Sequence, residues 1–558
     1  MTGFSRTLCG GVLAFVVMGC GRPALADTPP KDAHAKDDTK AEAKVNPPLP
    51  RHFSPEERDS TGSVVVGRQR IDYRAVAGTL VVHPKGWDDV TARLDTEEKP
   101  AKPENEEGKP AHKPITAEAS LFYVAYLKQG APSPSRPVTF LYNGGPGSAT
   151  MWLHMGAFGP RRVVVSGDQH VPAAPYVLSN NEASLLDASD LVFIDAPGAG
   201  FSRIAGQDRE KAFYGVDPDA YAFAEFITQW LGKFGRWNSP KYLFGESYGT
   251  TRSAVLINEL ESRRLVDFNG VILLSQILNF HLSPDRAESD PGFDLPFELA
   301  LPTFAATAWY HKKLGTDVPS DLKALLAEVE RFALTDYALA LQQGSALPEA
   351  DRTRVAEALH KYTGLPVAYI RKANLRITGG DFRKTLQDSA DDSTGRLDTR
   401  FSGPAMDPLE KNPDYDPFQA SIGSAYVSGF NDYVRKDLKF GEDRAFLPSI
   451  PAYKFWNLEH QQPGSDVPAR DGLNVMTDLA SAMKHNPNLK VLLNAGYYDL
   501  ATPFFQGVYE MQHLPMPDRL QTNIEYRFYD SGHMVYVQEA SLKALHDNVA
   551  DFIRRTSH

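Results

Sequence analysis

Cysteine is nearly absent: Cys9 and Cys20 are the two in 558 residues, and both lie near the amino terminus. If an export leader is removed, the remaining chain has no disulfide of its own. It must hold together by burying a core, which this length allows. Basic residues are in deficit, with 59 Lys and Arg against 70 Asp and Glu and a formal net charge of −11. That argues against nucleic-acid binding, which usually needs a basic face. The early apolar run, Leu8 to Met18, is too short for a comfortable membrane span. No group of His, Cys and Asp has metal-ligand spacing, so neither a metal nor another cofactor is expected. No internal repeat is evident.

What is present suits a globular enzyme: 42% hydrophobic and 11% aromatic residues, in a chain long enough to imply a second domain or a large insertion. Arg6, the apolar run and the small residues after it have the shape of an export signal. The A-x-A site at Ala24 to Ala26 predicts cleavage after Ala26, so residues 1–26 form a signal peptide and the product is exported, periplasmic or extracellular. The alternative is "VMGC", Val17 to Cys20, a degenerate lipobox; lipidation at Cys20 would anchor a lipoprotein to a membrane. Residues 27–53, rich in Lys, Asp, Ala and Pro, are expected to be a disordered linker. The stretch from Asp95 to Pro114 is expected to be a solvated surface insertion.

Strand signals recur at "SVVV", "GTLVVH", "SLFYVAYL", "PVTFLYNGG", "DLVFIDAPG", "KYLFGES", "VILLSQI", "LKVLLNAGYYD" and "IEYRFYDSGHM". Helical patterns such as Asp219 to Phe234 lie between several of them. Strands alternating with helices imply an α/β fold with a largely parallel sheet. From Leu282 to Asn486 helical stretches dominate. The resulting division is a catalytic domain of residues 54–281 and 487–558, with residues 282–486 as a helical cap inserted over the sheet. The acidic, turn-rich stretch Gly380 to Pro404 reads as a surface loop, or less simply as a calcium site.

Four signals carry chemistry, in chain order. "LYNGGPGSATMWLHMGAFGP" is a strand ending in a Gly-rich turn. Gly245-Glu246-Ser247-Tyr248-Gly249 sits between a strand and a helix, as a nucleophile elbow requires. "LLNAGYYDLATPF" is a strand running into Asp499, and "FYDSGHMVY" is a strand running into His533. Each alone is weak; together they give Ser, Asp and His in order, each at a strand exit. A serine hydroxyl is a poor nucleophile until a base takes its proton. His533 is that base, Asp499 holds its tautomer, and the Tyr248 amide is one oxyanion donor.

The chain resembles the serine carboxypeptidase family, peptidase family S10, an α/β-hydrolase family. The residues that carry the resemblance are Asn143 to Gly147 ("NGGPG"), Phe193 to Ser202 ("FIDAPGAGFS"), Gly245 to Gly249 ("GESYG"), Asp499, and Gly532 to Met534 ("GHM"). The resemblance implies an α/β-hydrolase fold and cleavage of C-terminal peptide bonds through an acyl-enzyme, the partner being a peptide with a free C-terminus. It implies that Glu246 is protonated and, with Asn143 and the amide of Gly144, grips the substrate's terminal carboxylate. It also implies that the amides of Gly145 and Tyr248 form the oxyanion hole. A carboxyl in an apolar site has its pKa raised, so donation to an anion is physically consistent.

Three positions depart from the family pattern. Tyr497 replaces the first Asp of Gly-Asp-x-Asp. Ser148 replaces a half-cystine. Ala157, in "GAFGP", stands where the family has the Glu that partners the carboxylate-binding Glu, leaving His154 or Trp152 to compensate. Asp195 reads as a loop-orienting residue. An esterase or acyltransferase on the same scaffold, or a non-catalytic cell-surface binding protein, are the alternative functions.

Overall fold

The computed structural model describes residues 51–87, 117–131, 133–470 and 473–557. The signal peptide, most of the linker and the Asp95 to Pro114 insertion lie outside the described residues. The linker's last residues do not behave as a tether: the amides of His52 and Phe53 donate to Glu118 at 2.9 and 3.3 Å.

Nine strands make the central path of one sheet. They are β1 (Glu57–Val66), β2 (Gln69–Val82), β3 (Glu118–Lys128), β4 (Val138–Tyr142), β5 (Asp190–Ile194), β6 (Lys241–Glu246), β7 (Gly270–Leu274), β8 (Lys490–Gly496) and β9 (Ile524–Tyr529). A short tenth strand, Arg203–Ala205, pairs with β3. Their spatial order is β1-β2-β3-β5-β4-β6-β7-β8-β9. β1, β2 and β3 pair antiparallel, and β3 pairs antiparallel with β5. From β5 to β9 every pairing is parallel. Every residue of β4, β5, β6 and β7 is buried. Continuous apolar runs are what a parallel sheet covered on both faces requires, whereas β2 alternates over its exposed first half.

Helices cover the two faces. On one, α1 (Val216–Lys233), α2 (Tyr248–Asn258) and α4 (Met476–His485) share a core that includes Phe223, Trp230, Leu256 and Met483. On the other, α3 (Pro417–Lys436) and α5 (Glu539–Thr556) share a core that includes Tyr426, Phe430, Val549 and Phe552. Between β4 and β6 the winding reverses direction, and the cleft outside the carboxyl ends of these strands is where such sheets bind ligands.

The inserted region differs from the single cap expected over residues 282–486. A separate helical core, with Phe304, Val329, Tyr337, Leu359 and Phe382, spans roughly the first half of it. Beyond it the chain returns to the body. α3 roofs one sheet face and α4 packs against α2 on the other. Their apolar faces look like any amphipathic helix in sequence; what they cover is decided by the sheet.

Candidate active site

β6 runs into a sharp turn at Ser247, whose φ of 60° and ψ of −129° lie in a region L side chains rarely occupy. The turn is held by its backbone: the Ser247 amide donates to Leu274 O at 2.9 Å, and the Thr250 amide donates to Ser247 O at 2.8 Å. α2 begins at Tyr248, so its first amides point into the cleft. Gly245 admits the turn, since a Cβ there would lie 2.2 Å from Gly249 O. The loop after β4 lands on the elbow, and a Cβ on Gly144 would meet the amide nitrogens of Tyr248 and Gly249 at 2.4 and 2.6 Å. Close backbone approach at Gly144 thus brings the Asn143 to Gly145 segment against the first turn of α2.

The other half of the site comes from the loops after β8 and β9. Asp499 is fully buried and accepts from the amides of Ala501 and Thr502 at 2.9 and 3.0 Å, from Thr502 Oγ1 at 2.7 Å and from His533 Nδ1 at 2.8 Å. That bond orients the imidazole and fixes Nδ1 as the protonated nitrogen, leaving Nε2 to accept. Burial pulls the His533 pKa down, but the charge and hydrogen bond of Asp499 outweigh it and the net direction is up.

These two loops are strapped together by residues 396–401, from the stretch expected to be a surface loop or a calcium site. For residues 396–401 that expectation does not hold, although residues 388–391 of the same stretch are exposed. Asp398 and Thr399 are fully buried. His533 N donates to Leu397 O at 2.6 Å, Thr399 N to Tyr498 O at 2.9 Å, and Leu500 N to Arg396 O at 3.1 Å. Asp398 Oδ2 accepts from Gly532 N at 3.1 Å and from Arg400 Nη2 at 2.6 Å. Arg400 also reaches Asp530 O and Ser531 Oγ, each at 3.2 Å. Of the acidic residues that suggested a surface loop, Asp388 and Asp391 are exposed, whereas Asp398 is an internal anion with its own arginine.

Glu246, 2% exposed, sits beside Ser247 with its pKa pushed up to about 7. Burial is the main cause; the charge of His533 and hydrogen bonds from Tyr536 and Asn143 pull the other way. Asn143 Oδ1 accepts from Leu153 N at 3.0 Å, which orients its amide. Tyr536 Oη donates to Glu246 Oε2 at 2.9 Å. Tyr536 is the partner that the sequence reading missed. It packs against Gly156, next to Ala157, where a Cβ on Gly156 would meet its ring at 2.6 Å. His154 does not compensate: its Nε2 pairs with Tyr126 Oη at 2.7 Å, its ring stacks on Phe193, and burial pushes its pKa down to about 3. Trp152 stays at the cavity wall, its Nε1 donating to Ser148 Oγ at 3.1 Å. Asp195 ties loops together, as expected, accepting from the Thr150 amide at 2.7 Å.

All the expected site residues except the buried Asp499 line one cavity of about 840 Å³. Gln419 and Val427 of α3, and Asp285, Arg286 and Arg396 from the inserted region, line it too. The arrangement can activate a hydroxyl, receive an oxyanion at backbone amides and meet a carboxylate with a protonated carboxyl. Among the described residues there is no His, Cys, Asp or Glu group that could hold a metal ion.

The family model described as "Serine carboxypeptidase" matches residues 112–279. Serine carboxypeptidase S10 family member 1 of Dictyostelium discoideum is 33% identical over 144 residues, 24% of this chain and 30% of that protein. Serine carboxypeptidase-like 25 of Arabidopsis thaliana is 28% identical over 171 residues, 29% of this chain and 34% of that protein. The matched stretches thus span about a third of these curated relatives. A solved proline iminopeptidase from Mycobacterium smegmatis is 12% identical with a TM-score of 0.33, covering 89% of this chain and 99% of that one.

Proposed function

We propose that this chain, a member of the serine carboxypeptidase family by its match over residues 112–279, removes the C-terminal residue from peptides. The observation that carries the proposal is Glu246: a carboxyl beside Ser247, buried, raised to about 7 and hydrogen-bonded by Tyr536 and Asn143. A hydroxyl nucleophile gains nothing from an adjacent negative charge. A substrate carboxylate gains a donor from an adjacent neutral acid.

In this mechanism Glu246, Asn143 and the Gly144 amide hold the terminal carboxylate, which sets the scissile carbonyl over Ser247. His533 Nε2 takes the Ser247 proton as Oγ attacks, and Asp499 stabilises the imidazolium. The amides of Gly145 and Tyr248 receive the oxyanion. His533 then gives its proton to the leaving amine, and water enters to hydrolyse the acyl-enzyme by the same steps. With the export leader expected at residues 1–26, the proposal extends to peptides met outside the cytoplasm.

The test compares a blocked dipeptide acid with its C-terminal amide and its methyl ester. The acid should be cleaved with kcat/KM at least about tenfold above the amide, from the loss of a charge-assisted hydrogen bond. Equal rates on acid and amide would remove Glu246 from this role. Rapid cleavage of the ester alone would favour the esterase alternative.

A further inference from the structure

Five acidic, basic or imidazole side chains line the active-site cavity: Glu246, Asp285, Arg286, Arg396 and His533. Two of them, Glu246 and His533, belong to the proposed chemistry. Asp285 and Arg396 neutralise one another, with Arg396 Nε 3.0 Å from Asp285 Oδ2 and 3.2 Å from Oδ1. Asp416 stands behind Arg396 and accepts from the amides of Arg396 and Leu397, each at 3.0 Å. Arg286 is left. Its backbone is pinned, its amide donating to Ser283 O at 3.0 Å and its carbonyl accepting from Ser289 Oγ at 2.6 Å. Among the described residues its guanidinium has no hydrogen bond or ion pair, and the residue is exposed.

The topology says which end of a substrate meets it. The carboxylate grip, Asn143 and Gly144, follows β4, on one side of β6 and Ser247. Arg286 follows β7, on the other side of β6, and Arg396 lies in the strap over the loop after β8. A substrate held by its carboxylate on the β4 side therefore extends its acyl portion toward β7. Ile277 and Phe280, which also line the cavity, lead along the same side, and Phe280 lies edge-on to Tyr248 with centroids 6.4 Å apart. An apolar wall ending in an unpaired guanidinium suits a side chain with a short aliphatic stem and an anionic tip.

We propose that Arg286 builds a subsite for an acidic side chain on the residue that donates the acyl group, so that the favoured substrates carry Glu or Asp immediately before the cleaved bond. This rests on the carboxypeptidase reading for peptide substrates. The free guanidinium attracts the side-chain carboxylate, while Asp285, held by Arg396, offers little opposing charge.

Two probe sets separate the subsite from the reading it rests on. The first is a pair of blocked dipeptide acids, Glu-Phe and Gln-Phe, cleaved by wild type, Arg286→Gln and Arg286→Glu. The second is a pair of blocked aminoalkyl phosphonate diphenyl esters with glutamate-like and glutamine-like side chains. Ser247 Oγ attacks their phosphorus with loss of phenol, with no need of a C-terminal carboxylate. In wild type the Glu probe should exceed its Gln partner about tenfold in both sets, one charge-assisted contact in magnitude. The ratio should collapse toward one in Arg286→Gln and fall below one in Arg286→Glu, which should instead favour a Lys probe. A phosphonate ratio near one in wild type, or a ratio unchanged in Arg286→Gln, overturns the subsite. Phosphonates that discriminate in an enzyme that leaves both dipeptides intact support the subsite and overturn the carboxypeptidase reading.

Discussion

The two halves of the site are built differently. The nucleophile half, the loops after β4 and β6, is held by backbone contact: Gly144 against the amides of Tyr248 and Gly249, and Ser247 N on Leu274 O. The base half, the loops after β8 and β9, is held by residues 396–401, with the buried Asp398–Arg400 pair at their centre. One half is secured by sheet register and the absence of side chains. The other depends on an ion pair whose partners would be costly to bury alone. The first half is therefore a property of the sheet, the second a property of the insertion.

The largest effect should come from the nucleophile half. Ser247→Ala should lower kcat on the order of 10⁶-fold and abolish fluorophosphonate labelling, since triad members act as a unit. Unfolding by urea should be unchanged, because Ala carries the same Cβ as Ser and is strained equally at this φ/ψ. Turnover at a comparable rate would show that Ser247 is not the nucleophile.

Breaking the base half should act through stability instead. Arg400→Met leaves Asp398 buried without its cation and should cost about 3–5 kcal/mol, read as a lower urea midpoint at unchanged slope. The double variant Asp398→Asn, Arg400→Met removes both charges and should recover most of that stability. Single and double variants equal to wild type in both stability and kcat would show that the strap holds nothing.

The smallest effect, and the sharpest, concerns pH. The groups facing Glu246 are His533, Tyr536, Asn143 and, more weakly, Asp499. With its pKa near 7, Glu246 is protonated on the acid side and can donate to the substrate carboxylate; above it, the ionised group repels. KM for a peptide acid should therefore rise about tenfold from pH 6 to pH 8, the behaviour of one ionising group. Glu246→Gln should flatten that rise. Tyr536→Phe removes a donor that favours the carboxylate, so the rise should begin at higher pH. The same inflection in wild type and Tyr536→Phe would mean that this hydroxyl does not act on Glu246.

The difference between the halves also sets how far the site could be read from sequence. Gly245, Ser247, Gly249 and the Asn143 to Gly147 turn are local: glycine spacing next to an apolar run announces a tight turn before anything is folded. Asp499 and His533 were found by the same local logic, as polar residues at strand exits. The strap was misread because Asp388, Asp391, Asp392 and Asp398 look alike in a turn-rich run, and burial singles out Asp398. The cap was overextended because an amphipathic helix does not declare which surface it covers. Met476–His485 and Pro417–Lys436 joined the body on opposite faces.

By itself the sequence determined the alternation of strands and helices, hence a parallel sheet, and the Ser, Asp and His order at its strand exits. These follow from patterns a few residues long, where side-chain period and glycine placement dictate local geometry. Only the tertiary structure decided what stands beside Glu246, what anchors His533 and which guanidinium is free in the cleft. Tyr536 meets Glu246 across 290 residues of chain, and Asp398 meets Gly532 across 134. Contacts at such separations are set by how the sheet closes and the insertion folds back, and the residues that make them carry no local mark of their partners.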